Sequence, residues 1–239
     1  VIDFVLNHFD ELATLPGAVP KLRSFILDQA VRGNLTADWR QEHPDVEPAS
    51  ALLERIREEK KDLVKAGKMK KQKELPPVEP DEVPFEVPKT WEWVRFGDSC
   101  VNRDGERIPV SRAERERRDK VFDYYGASGV IDQIDDYLFD GHFLLVGEDG
   151  ANLVYRSTPI AFTVRGRFWV NNHAHVFHAP DSGLLEYLSM YFNAIDLKRY
   201  LTGMAQPKLP QRLMNRISTP IPPAGEVGEV AHRVAELMK

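Results

Sequence analysis

Four runs in the second half of the chain carry residue types that read nucleic acid: YYGASGVID (residues 124–132), LLVGEDGANL (144–153), FWVNNHAHVF (168–177) and TGMAQPKLPQ (202–211). They mix amide, hydroxyl and basic side chains with aromatics. Asn and Gln pair bidentately with adenine, and Lys and Arg with guanine or phosphate, so the mixture suits base edges and a phosphate backbone. In TGMAQPKLPQ, Gly203 and Pro207 shape an exposed turn that presents Gln206, Lys208 and Gln211 together, Lys208 toward phosphate and the glutamines toward bases. Arg103, Arg107 and Arg112, in the irregular NRDGERIPVSR segment, are candidates for phosphate or guanine contacts. Gly126 and Gly129 permit close backbone approach to a ligand, with Tyr125 and Ser128 around them; Tyr124 is assigned to core packing and Ser128 to a polar contact. Glu148 and Asp149 read as a structural turn, since acids beside DNA are costly unless they accept from a cytosine amine. Asn171 and Asn172 make turn contacts or reach a base edge.

A rival chemistry lies in the same runs. His173 and His175, two apart on an expected strand, point to one face, with His178 or Glu148 available to complete a metal site of a metal-dependent enzyme. Two histidines are a weak signal, and satisfied histidines in a polar core or beside DNA are the preferred reading. No other catalytic pattern accompanies them. GxxxxGK[ST] is absent, the Pro-Pro pairs at 76–77 and 222–223 lack the Asn/Asp and aromatic neighbours of an adenine methylation loop, and the Glu-x-Lys of Glu58–Lys60 lies in a helical charge run.

With 239 residues and 42% hydrophobic content, the chain can bury a sizeable core. The single cysteine, Cys100, forms no internal disulfide, and no long apolar run or signal peptide is present. These features lead to the expectation of a soluble, cytoplasmic protein with no membrane contact. A net charge of −5 disfavours general polyanion binding, so local charge carries the argument. Residues 57–73 hold eight basic and three acidic side chains, and residues 103–120 seven and five; either could face phosphates or be a solvated face.

The elements that position these runs follow from periodicity. Ile2, Val5, Leu6, Phe9 and Leu12 share a helical face, broken by Pro16-Gly17. A second amphipathic helix is predicted from Val19 to Arg32 with Gly33 as its stop, and a third from Pro48, in its first turn, to Lys65. The proline-rich stretch 75–89 reads as an extended, semi-rigid linker. Short strands are expected over 121–125, 142–146, 161–164 and 168–177, separated by turns at Asp149-Gly150 and Arg165-Gly166, and a buried helix over 184–201. Val227, Val230, Ala231, Val234, Leu237 and Met238 give a last, coiled-coil-like stripe still running at the final residue. The class is α+β.

KLRSFILDQAVRGNLT (21–36), EPASALLERIREEK (47–60), PKTWEWVRFGD (88–98) and ISTPIPPAGEVGEVAHRVAELM (217–238), together with the four central runs, resemble specificity subunits of type I restriction-modification systems. The resemblance implies mixed α/β target-recognition domains with short twisted strands, held apart by long helices of conserved coiled-coil regions, each domain reading one half of a split site in double-stranded DNA. On that pattern, residues 1–74 are the amino-terminal helical region, 75–89 the linker, 90–223 a target-recognition domain and 224–239 the start of the central helix. It further implies a non-catalytic chain that binds no cofactor. Modification subunits would use S-adenosylmethionine, and a restriction subunit ATP and Mg. The chain departs from the family in having one recognition domain, so it is expected to be an amino-terminal fragment rather than a half-length subunit that self-associates through its helices. A coiled-coil adaptor that reads no DNA is the remaining alternative.

Overall fold

A computed structural model describes Val5 and residues 8–239. The first amphipathic helix falls mostly outside the described residues; its visible part is α1 (Phe9–Ala13). After Gly17, α2 (Ala18–Val31) buries Leu22, Ile26, Ala30 and Val31 and stops before Gly33, whose φ of 73° suits glycine. A Cβ there would also lie 2.8 Å from the Pro88 ring. A 3₁₀ turn (Asn34–Thr36) and α3 (Ala37–Glu42), neither anticipated, lead to α4 (Ala49–Lys65). Pro48 is the N-cap of α4 rather than part of its first turn, and Leu52, Leu53 and Ile56 form its buried stripe.

The proline-rich segment 75–89 has only one 3₁₀ turn, Pro80–Glu82, but it is not a free linker. The Arg95 guanidinium donates to Pro76 O at 2.9 Å, Pro77 O at 2.6 Å and Glu82 Oε1 at 2.9 Å. Phe85 meets the Trp93 ring edge-on at 5.1 Å. The segment is a strap bound to the domain it introduces.

Then come β1 (Glu92–Arg95), α5 (Phe96–Ser99), β2 (Val101–Asn102), α6 (Arg112–Arg115), β3 (Phe122–Gly126), β4 (Gly129–Ile134), β5 (Phe139–Gly147), α7 (Asn152–Tyr155), β6 (Ala161–Val170) and β7 (Ala174–His178). They are followed by α8 (Ser182–Ala194), α9 (Gln211–Met214), β8 (Ser218–Ile221) and α10 (Ala224–Leu237). β1 and β8 form an antiparallel pair, Glu92 opposite Ile221, so the chain enters and leaves the strand region at one place. The main sheet has the order β2-β7-β5-β6-β3-β4, antiparallel except for β3 beside β6.

This sheet is curled. Phe139 pairs with Phe168 and Gly147 with Ala174, so only residues 171–173 join the level of one end of β5 to that of the other. A straight nine-residue strand spans about 30 Å, more than twice what those few residues can bridge. Gly141 (φ 137°) and Gly166 (φ 88°) face each other across β5 and β6, at dihedrals that side-chain-bearing residues avoid. Arg165-Gly166 is therefore no turn; the chain turns at Asn171–His173 and splits the expected strand 168–177 in two.

Helix α8 ends seven residues before the expected Leu201. Asp181 caps its start, accepting from Gly183 N at 2.8 Å and Leu184 N at 3.2 Å. At its end Asp196 accepts from Lys198 N at 2.9 Å, a local turn that competes with helix, and Arg156 donates to the Phe192 and Ile195 carbonyls. The stripe of α10 is covered within the chain, where Val227, Val230 and Val234 are buried against α8 and α2. One continuous core runs through α2, α4, α5, one face of the sheet, α8 and α10, and crosses the boundary expected between helical region and recognition domain. Among the described residues no helix is long and apolar enough to cross a membrane.

Candidate DNA interface

The curl brings the four runs together. Asn171 N donates to Tyr125 O at 3.1 Å, and Glu148 N to His173 O at 2.8 Å. Gly147 sits so close to the 126–129 hairpin that a Cβ on it would lie 3.0 Å from Ala127 O. Gly150 N donates to Pro207 O at 3.0 Å, and Leu209 N to Glu148 O at 2.7 Å. The last loop is pinned at its own neck, where Thr202 and Lys208 exchange backbone hydrogen bonds of 2.8 Å and Gly203 adopts φ 77°.

On this cluster Ser128, Asn172, His173, Gln206 and Lys208 are exposed, and Gln211, opening α9, is half-buried. His173 Nδ1 lies 2.9 Å from Asp149, and Lys208 Nζ 4.0 Å from the same carboxylate. Gln206 stands beyond Gly203 at the tip, where Met204 is fully exposed.

Other candidates are committed to partners within the chain. Arg107 is 13% exposed; it pairs with Glu148 at 2.8 Å and Asp104 at 3.6 Å and donates to Ala174 O at 2.6 Å, leaving no open fork for a base or phosphate. Tyr125 packs against Phe162 and Phe168, and burial raises its hydroxyl pKa. Asn171 is buried, its Oδ1 accepting from His173 N at 2.8 Å, so it shapes the turn rather than reaching a base. Arg103 pairs with Glu106 and lies over Phe143. Arg112 is exposed on α6 and paired with Glu116 at 2.9 Å.

Much of the basic run 103–120 is structural. Arg115 and Lys120 hold Asp132 at 2.8 Å each, and their hydrogen bonds, Lys120 first, keep its carboxyl well below the usual range. Arg118 lies over the Trp169 ring.

His173 and His175 do not share an environment. His173 is an exposed turn residue, whereas His175 is buried with both ring nitrogens occupied: Nδ1 lies 2.6 Å from Asp104 and Nε2 2.9 Å from Leu209 O. Burial pushes the Asp104 carboxyl up, but the hydrogen bond and charge of His175, with Arg107, outweigh it and hold it low. Neither His175 nitrogen is free for a metal, and the described residues contain no group of three metal-ligating side chains. The Cys100 thiol is buried and pushed up to about 12 by that burial, which suppresses the reactive thiolate.

Sequence reading missed Asp104 as the partner that fixes His175, and it missed Asn102. The basic run at 57–73 was the available signal for a further feature. Its end forms one wall of a groove whose other wall is Asn102–Glu106.

A curled α+β module, carrying interlocked polar loops on a helical base, has the build of a recognition domain. The type I restriction modification DNA specificity domain matches residues 88–239, and the chain belongs to that family. It is 42% identical over 118 residues to the EcoEI specificity subunit of Escherichia coli, covering 49% of this chain and 19% of the relative. It is 50% identical over 93 residues to the E. coli EcoAI specificity subunit, covering 39% and 15%. The matches thus span less than a fifth of these relatives. In fold, the chain superposes on the type I restriction-modification S subunit from M. genitalium with a TM-score of 0.53 at 10% identity, covering 99% of this chain and 52% of that one. The α+β class expected from the sequence is the class of that fold.

Proposed function

We propose that this chain reads one half of a bipartite site in double-stranded DNA and positions the modification and restriction subunits of a type I complex on it. The carrying observation is the interlocking of the 126–129, 147–151, 171–173 and 202–208 segments into one surface with exposed Ser128, Asn172, His173, Gln206 and Lys208. Gln206 and Asn172 supply amides for base edges, and Lys208 supplies a phosphate contact. Arg103 and Arg112 would engage phosphate only by giving up Glu106 and Glu116. Methyl transfer from S-adenosylmethionine and the ATP- and Mg-dependent steps fall to the partner subunits. The helices, principally α2 and α10, supply surfaces for those subunits or for self-association.

The test is to express the full-length version of this chain with its modification subunit in cells lacking adenine methylation and to map methyladenine. One split motif is expected. Gln206→Ala should relax one position of the half-site by about 1–3 kcal/mol, and Lys208→Ala should lower the salt slope of binding by about 0.9 without changing the motif. A complex that co-purifies but methylates no motif would remove the DNA-reading role.

A further inference from the structure

Beyond the four loops lies a groove of about 470 Å³ between the segment leaving α4 and the Asn102–Glu106 turn, with Gln211 among its walls. Gly67, at φ 70°, ends α4 together with bonds from Lys68 N and Met69 N to Leu63 O at 2.9 and 3.2 Å. The chain then carries Lys68, Lys70 and Lys71 along one wall. All three are exposed, and among the described residues none has a carboxylate partner, unlike Lys65, which pairs with Asp62 at 3.1 Å. The acids of the facing wall are already engaged: Glu106 by Arg103, and Asp104 by His175, Arg107 and Val176 N. The groove is thus left with unmatched positive charge.

We propose that this groove is a second DNA contact, holding the phosphate backbone of the duplex that flanks the half-site, with Lys68, Lys70 and Lys71 as its ligands. The proposal rests on the DNA-reading role above. Gln211 belongs both to the groove and to the TGMAQPKLPQ run that carries Lys208, so the groove continues the recognition surface. Three lysines within four positions suit a strand with one phosphate per roughly 3.4 Å of duplex axis. Such contacts fix register and add affinity without reading sequence.

The experiment measures binding of the full chain, in complex with its modification subunit, to duplexes with and without the methylation-mapped site across a range of salt. Substituting Lys68→Gln, Lys70→Gln and Lys71→Gln together is expected to lower the log–log salt slope by about 2.7, at 0.9 for each phosphate contact. Both duplexes should weaken by the same factor, with an unchanged melting temperature. The pair Lys61→Gln and Lys65→Gln, whose lysines lie beside carboxylates on α4, should leave the slope where it was. An unaltered slope in the triple variant, with the wild type binding normally, overturns the groove alone. Loss of the modification subunit with the slope intact gives the groove to a protein partner and also overturns the proposal. A wild-type complex that binds neither duplex overturns the DNA-reading role itself.

Discussion

Glu226 is fully buried, and its carboxylate is met by three donors from two distant parts of the chain. Thr36 Oγ1 donates at 2.6 Å, Trp91 Nε1 at 2.8 Å, and Arg40 completes an ion pair. This one acid joins the turn after α2, the residue leading into β1, and the first turn of α10. Removing one partner of a buried pair leaves the other charge uncompensated, which typically costs about 3–5 kcal/mol. Glu226→Ala should therefore lower the melting temperature sharply, while Glu226→Gln, which keeps an acceptor for Trp91 or Thr36, should lose less. Equal losses in the two variants would mean that side-chain volume, not the hydrogen-bond set, is what matters. The residue type was visible in the sequence, but its three partners lie 135 to 190 positions away and carry no local periodicity.

At the scale of elements, the strap shows what local rules can and cannot supply. Its prolines forbid helix and ladder, so an extended path was readable. Its attachment was not, because it depends on Arg95, buried on β1, reaching back to Pro76, Pro77 and Glu82. The same limit explains Arg107, a DNA-contact candidate whose partners Glu148 and Ala174 lie 41 and 67 positions away, and Asn171, for which a turn contact and a base edge were both open. The curled β5–β6 pair holds Gly166 opposite Gly141, and Gly166 looks like a turn former when taken alone. Helices α2, α4 and α10, the start of α8, strands β3 and β5 and the loop carrying Gln206 and Lys208 needed only local signals, and those were legible; α3, β4 and the break between β6 and β7 were not. The strap has a pH signature. The hydrogen bond from Arg95 holds the Glu82 carboxyl at about 2, below its ordinary 4.5. A carboxylate depressed on folding stabilises fully above its unfolded value and loses that contribution as pH falls toward its folded one. The difference in melting temperature between wild type and Glu82→Gln should be constant above about pH 4.5 and shrink as pH falls toward 2. A difference independent of pH over that window would remove the pair from the stability of the strap.

For the whole molecule, the central question is whether the recognition loops stand on a separate domain or on the helices themselves. The family pattern divides helical regions from the recognition domain, yet one core contains Ile26, Leu52 and Ile56 from the helices together with Phe96, Leu144 and Phe177 from the strand region. The antiparallel β1–β8 pair fastens the entrance of that region to its exit, and Trp91 binds Glu226 across the same junction. Elements that share a core and lack a free linker unfold together, because exposing either half strips apolar contacts from the other. The described chain should therefore melt in one transition. Far-ultraviolet circular dichroism, weighted toward the helices, should coincide with the fluorescence of a variant keeping Trp169, on β6, and Trp91, whose bond to Glu226 must stay, once Trp39 and Trp93 are replaced by Phe. Ile56→Ala, a buried truncation on α4 costing about 2–5 kcal/mol, should then lower both signals by the same amount. If the helices melted early while Trp169 stayed native, the recognition region would be an independent unit, and the loops could turn without the helices. Coincident loss means that the loops and the helices α2 and α10 form one rigid body, so that the half-site reading proposed above would fix the direction of those helices and orient the subunits proposed to bind them.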